Sequence, residues 1–244
     1  MDFLKRGHFF IIFFGAALAV ITGLSSCTAN ISGRLEQGGG GEFTVSASLG
    51  PRMAALIRSL GAAGGGSGDF VLDGAIIAQS MVAAPGVESV SFRNTGPVAL
   101  EGPVKIAKIG DFLAPAAGKK GFITFEAPRA GGGRLSINLN REAGPEILSL
   151  VSTEIVTYLE ALMAPIVTGE VLTKAQYLEA LASIYNKAVA DEVSGGTIRA
   201  AIDFPGPISA VRGGTYTGKK AEFTIPLLDL LVLERPLIYE VTWK

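Results

Sequence analysis

The sequence predicts an α+β fold in which a largely antiparallel β-sheet is covered by an antiparallel helical hairpin and shorter helices. Three observations carry this expectation. Apolar and polar residues alternate in strand fashion toward both ends of the chain, two long stretches of helical periodicity lie between them, and glycine clusters at 38–41, 64–66, 131–133 and 213–214 separate the elements.

The chain begins with a different pattern. Lys5 and Arg6 precede an apolar run over 9–21, and Leu24-Ser25-Ser26-Cys27 follows, which is the order of an export signal. The last four residues resemble a bacterial lipobox. That resemblance implies a diacylglycerol thioether on Cys27, cleavage on its amino side, and further acylation by groups such as palmitate. The organisation expected is therefore a signal peptide over 1–26 and a single α+β domain over 27–244. Two other readings of the segment stay open: an uncleaved spanning anchor and an ordinary signal peptide cut nearby.

Along the mature chain, strands are expected over 31–35 and 43–47 around the first glycine turn. A helix opened by Pro51 carries Met53, Leu56, Ile57 and Leu60 at helical spacing. Asp69 caps a second helix bearing Val71, Leu72, Ala75, Ile76 and Met81. Strands follow over 87–93, 98–106, 122–127 and 134–140. Two long helices come next, one over 145–166 and one from Thr173, whose Gln176 completes a capping box, to Gly195-Gly196. The chain ends in strands over 197–204, 221–225 and 237–243. In the last strand Leu237, Tyr239, Val241 and Trp243 alternate with Ile238, Glu240 and Thr242, so one of the two faces is expected to pack inward, with Trp243 in the core.

Composition narrows the function. With 21 basic and 22 acidic residues and a net charge of −1, the chain has no electrostatic footprint for nucleic acid. Its only histidine, His8, lies in the export segment, so the mature chain holds no imidazole for acid–base catalysis or zinc. Cys27 is the only cysteine, and once acylated it is no nucleophile. The Asp69 and Asp73 pair reads as helix-start charge. The near match to a phosphate loop at 213–220 puts Lys220 where a hydroxyl is needed and leads into a strand, so it reads as a hairpin. No enzymatic activity, cofactor or metal is expected.

One physical excess remains. The stretch 147–167 carries only Glu154 and Glu160 as charges, so its apolar surface wraps more than one face. One reading is a central helix between sheet and partner helix. The other is a groove for an acyl chain or another apolar ligand, lined by Val151, Ile155 and Leu159 together with Leu56, Ile57, Ile76 and Ile77.

The run Asp203-Phe204-Pro205-Gly206-Pro207-Ile208, followed by Gly213-Gly214, Gly218 and Ala221-Glu222-Phe223, resembles an envelope lipoprotein domain of the LppM type. The resemblance spans some forty residues (about a sixth of the chain). It implies an α+β domain at the cell envelope that binds lipids or glycolipids. The expectation is a lipid-anchored protein of the bacterial envelope, its partners a membrane and a lipid ligand. The alternative is a structural or surface-interaction lipoprotein, adhesin-like or antigen-like, with no small ligand.

Overall fold

The computed structural model describes residues 26–63, 70–112, 121–127, 131–148 and 153–244. Residues 1–25 of the export segment, Asp69 and Val151 lie outside the described residues.

Strands β1 (Thr28–Leu35) and β2 (Gly41–Ser48) form an antiparallel hairpin that turns through Gly39 at φ 83°. Helix α1 (Pro51–Ala63) buries Met53, Ala54 and Ile57. Helix α2 (Gly74–Val82) is capped by Asp73, whose carboxylate accepts from the Ala75 and Ile76 N–H groups at 2.9 and 3.2 Å. Val71 and Leu72, expected within this helix, instead lie buried ahead of it. A carboxylate bonded to the first-turn amides sets the start of a helix, and Asp73 fills that role here.

Strands β3 (Val87–Val90), β4 (Arg93–Gly96) and β5 (Ala99–Ile106) follow, then helix α3 (Ile109–Phe112) and strands β6 (Ile123–Glu126) and β7 (Gly133–Leu139). The helical region comprises α4 (Gly144–Leu148), α5 (Thr153–Ala161), α6 (Pro165–Thr168), α7 (Lys174–Ile184) and α8 (Lys187–Gly195). The carboxy-terminal part adds β8 (Thr197–Asp203), β9 (Ile208–Arg212), β10 (Gly214–Thr217), β11 (Lys220–Pro226), α9 (Leu227–Val232) and β12 (Leu237–Trp243).

The larger sheet has the order β10-β11-β8-β1-β2-β5-β3, with β4 also on β5; the smaller runs β6-β7-β12-β9. Strands β1 and β8 pair in parallel, and the other described pairs are antiparallel. The α+β class is therefore as the sequence predicts. The two sheets share one core around Leu35, Phe204, Ala221, Leu135, Val241 and Trp243. A second core joins the helices to the other end of the strands through Met53, Ile57, Tyr177, Leu181, Val193 and Leu231.

The expected two-helix hairpin is broken into shorter pieces. Between α5 and α6 the chain leaves the helix, with Met163 at φ 49° and Ala164 extended ahead of Pro165. Proline has no N–H for the helix and drives the residue before it out of the α region. The second long helix breaks at Asn186, whose side chain accepts from Val189 N–H at 3.0 Å and so starts α8. The capping box of Thr173 and Gln176 forms as expected. Tyrosines tie α7 back to the end of α5: Tyr177 donates to the Leu162 carbonyl at 3.2 Å and Tyr185 to that of Ala161.

The stretch around the near phosphate loop is a hairpin. Thr217 pairs with Lys220 and Gly218 takes φ 63° in the turn between β10 and β11.

Candidate apolar binding site

Where the strand ends meet the helices, the molecule holds a cavity of about 270 Å³ whose walls are almost wholly apolar. Its sheet side is made by Cys27, Ala29, Ala47 and Ile198; its helical side by Met53 and Ile57 of α1, Ile155, Tyr158 and Leu159 of α5, Val193 of α8 and Leu227 and Leu231 of α9. Ala29 and Ala47 are register partners across β1 and β2. A pair of methyl groups on the sheet, facing helices that carry long side chains, leaves space that larger strand residues would fill.

A second cavity of about 180 Å³ adjoins it, lined by Phe70, Val71, Leu72, Asp73, Ile76, Ile77, Ile155 and Tyr158. Leu72, Ile155 and Tyr158 line both spaces and so stand between them. Tyr158 is held there by its hydroxyl, which donates to the Val71 carbonyl at 3.1 Å.

The helices around the site are fixed by specific contacts. Helix α1 has no side-chain cap of its own. Instead the buried carboxylate of Glu192, from α8, accepts from the Arg52 and Met53 N–H groups, each at 2.8 Å. A negative group at a helix start offsets both the orphan donors and the helix dipole. That single side chain sets α1, and with it Met53 and Ile57, against the cavity.

Cys27 lines the larger cavity, 7% exposed, and its carbonyl accepts from Thr197 N–H at 3.0 Å. Burial pushes its thiol above the ordinary value, and the nearby Glu192 charge adds to the effect; a hydrogen bond from the Gly50 backbone opposes it. A thiol with a raised pKa carries little thiolate at neutral pH. Among the described residues, no group of three or more His, Cys, Asp or Glu side chains could hold a metal ion.

The residues picked from the sequence fall into three sets. Ile57, Ile155 and Leu159 line the larger cavity, and Ile76, Ile77 and Ile155 the smaller. Leu56 lines neither; it packs, partly buried, against the helical core. Val151 lies outside the described residues. Sequence reasoning missed Leu72, Tyr158, the lining from Met53, Val193, Leu227 and Leu231, and all of the sheet side but Cys27. The sheet side was hidden because Ile198 joins the Ala29 and Ala47 pair only through the parallel pairing of β8 with β1, far apart in sequence.

A larger depression of about 530 Å³ lies on the larger sheet, lined by Ser32, Arg34, Glu42, Thr44, Lys105 and Asp203 among others. Three of its charges, Arg34, Glu42 and Lys105, are taken up in exposed cross-strand pairs, Arg34 with Glu42 and Lys105 with Glu88, both at 2.7 Å. Such pairs mark a solvated sheet face. The apolar cavity is the better site although it is the smaller space.

Among the described residues no helix is long and apolar enough to cross a membrane, which says nothing about a β-barrel. No protein family description matches the chain, and no curated protein matches it. Among solved structures it is similar to the NMR structure of the folded domain of the Mycobacterium tuberculosis protein LppM. The identity is 10%, the match covers 90% of each chain, and the TM-score is 0.38. A likeness of that degree fixes neither a shared site nor a shared activity.

Proposed function

We propose that this protein is a non-enzymatic lipoprotein of the bacterial envelope, joined to a membrane through a lipid on Cys27, and that its cavity binds the hydrocarbon part of a lipid. The observation that carries the reading is the almost wholly apolar cavity between the ends of β1, β2 and β8 and the helices. Apolar space of this kind gains free energy when hydrocarbon replaces water or vacuum against its walls.

The lipobox supplies the anchor in this reading. Cys27 precedes the first strand, and its carbonyl has one backbone partner, Thr197. With Cys27 seated as described, a thioether on its sulfur leads into the cavity. For the attached lipid to reach a bilayer, Cys27 must leave this seat, which costs roughly one hydrogen bond, about 0.5–1.5 kcal/mol, and its burial. Acyl chains at about 0.8 kcal/mol per buried methylene offset that cost.

Two experiments test the two parts. Labelling growing cells with radioactive palmitate should mark the wild-type chain and leave Cys27→Ala unmarked; equal labelling of both contradicts the anchor. Both sheets and all the described helices lie between Ser26 and Lys244, so a chain starting at Ser26 holds the described fold. Native mass spectrometry of that chain after incubation with phospholipid or lysophospholipid should show a bound lipid, and a spectrum free of lipid after every incubation contradicts the binding.

A further inference from the structure

We propose that the ligand is a single hydrocarbon chain that passes from the smaller cavity, beside Phe70 and Ile76, across Tyr158 into the larger one, and ends against the sheet wall at Ala29 and Ala47 while its headgroup stays outside near α2. This rests on the lipid-binding reading above and names the ligand class and its route.

Size is the first support. The two spaces, about 270 and about 180 Å³, each fall below the roughly 300–1,000 Å³ usual for ligand pockets, and only when joined do they come within it. Side chains divide them. Leu72, Ile155 and Tyr158 stand at the division, Tyr158 held by a hydrogen bond to the Val71 carbonyl, and displacing these side chains is what the proposed route requires to join the two spaces.

Polarity is the second support. Among the described residues no charged side chain lines the larger cavity, so no ion pair is offered there to a charged headgroup. Among the described residues the one charged side chain lining the smaller cavity is Asp73, whose carboxylate is already engaged by the first amides of α2. A headgroup therefore finds its solvation outside, and only the chain enters.

The third support is the surface at the outer end. Helix α2 has no ionisable side chain from Gly74 to Val82, and Phe70, Ile76 and Val82 remain 43–45% exposed there. Apolar surface beside the smaller cavity gives a chain leaving a bilayer or micelle a continuous hydrocarbon contact on its way in.

The test uses the chain from Ser26 with Cys27 as a free thiol, and palmitoyl lysophosphatidylcholine and dioleoyl phosphatidylcholine as probes. Native mass spectrometry should show one lysophosphatidylcholine per chain. At about ten times its dissociation constant, that lipid should slow alkylation of Cys27 by N-ethylmaleimide roughly tenfold, because only the empty fraction reacts. Ala47→Phe should abolish binding by filling the inner space. Ile76→Asp, at an exposed position, should weaken binding with no change in melting temperature, which keeps the test sound if the phenylalanine variant fails to fold. Binding of lysophosphatidylcholine with Cys27 alkylated at its full rate overturns the route while leaving lipid binding in place. Uptake of the two-chain lipid alone overturns the single-chain class, and failure to bind either probe overturns both this inference and the reading beneath it.

Discussion

Trp243 and Leu159 show how differently two apolar residues are used. Trp243 is 2% exposed, one residue from the end of the sequence, with the rings of Phe125 and Phe204 at 6.0 and 5.2 Å. Its partner across the strands is Gly133, where a Cβ would lie 2.2 Å from the indole, so glycine makes room for the ring. Trp243→Ala should cost about 3–5 kcal/mol in urea unfolding. As the only tryptophan it should also emit at blue-shifted wavelength without any membrane present. Leu159 is partly buried and faces the cavity. Leu159→Ala should therefore cost less than the roughly 2–5 kcal/mol of a packed leucine. Its main effect should be weaker lipid binding, seen as a smaller rise in melting temperature on adding lysophosphatidylcholine. The inward place of Trp243 was legible from alternation along one strand. The open space beside Leu159 was not, since it depends on alanines in strands that the helix meets only after folding.

Elements were legible where their signals are local. The first hairpin, the strand over 134–140 and the capping box at Thr173 follow from alternation, turn glycines and a three-residue spacing. Short strands escaped notice: β4 and β10 have four residues each, and every residue of β10 is exposed, so no buried face sets a period. Pro165 and Asn186 were readable as helix breaks, but the apolar period runs through both and masked them. The cap of α1 was beyond sequence reasoning, because Glu192 reaches it from about 140 residues away. Glu192→Ala should leave one buried and one partly buried amide without their acceptor and cost about 1–3 kcal/mol. Glu192→Gln, which keeps one acceptor oxygen, should cost less. Hydrogen exchange of the Arg52 and Met53 amides checks this directly, with faster exchange expected in Glu192→Ala and unchanged exchange contradicting the cap.

The whole molecule joins a two-sheet core to a helical layer, and its stability should fall in alkali. Burial pushes the Tyr177 phenol well above its ordinary range, and burial, with the Asp229 charge adding, raises that of Tyr239. Both groups stay protonated in the folded chain at a pH where the unfolded chain ionises. The stability they contribute is fully present below about pH 10 and is lost as pH rises through the higher folded values. The melting temperature should drop above about pH 10, and Tyr177→Phe should make that drop shallower. The fold class was legible from the order of periodic segments, whereas the parallel pairing of β1 with β8, which brings Cys27 beside Thr197 and Ile198, was not. That pairing builds the sheet side of the cavity. The most direct measurement of whether the cavity takes hydrocarbon is a methyl NMR spectrum of the chain from Ser26 with labelled isoleucines. Adding palmitoyl lysophosphatidylcholine should shift the methyl signals of Ile57, Ile155 and Ile198, which line the larger cavity, and leave Ile184, 53% exposed on α7, in place. Unmoved signals from those three residues, or shifts confined to Ile184, would contradict the account.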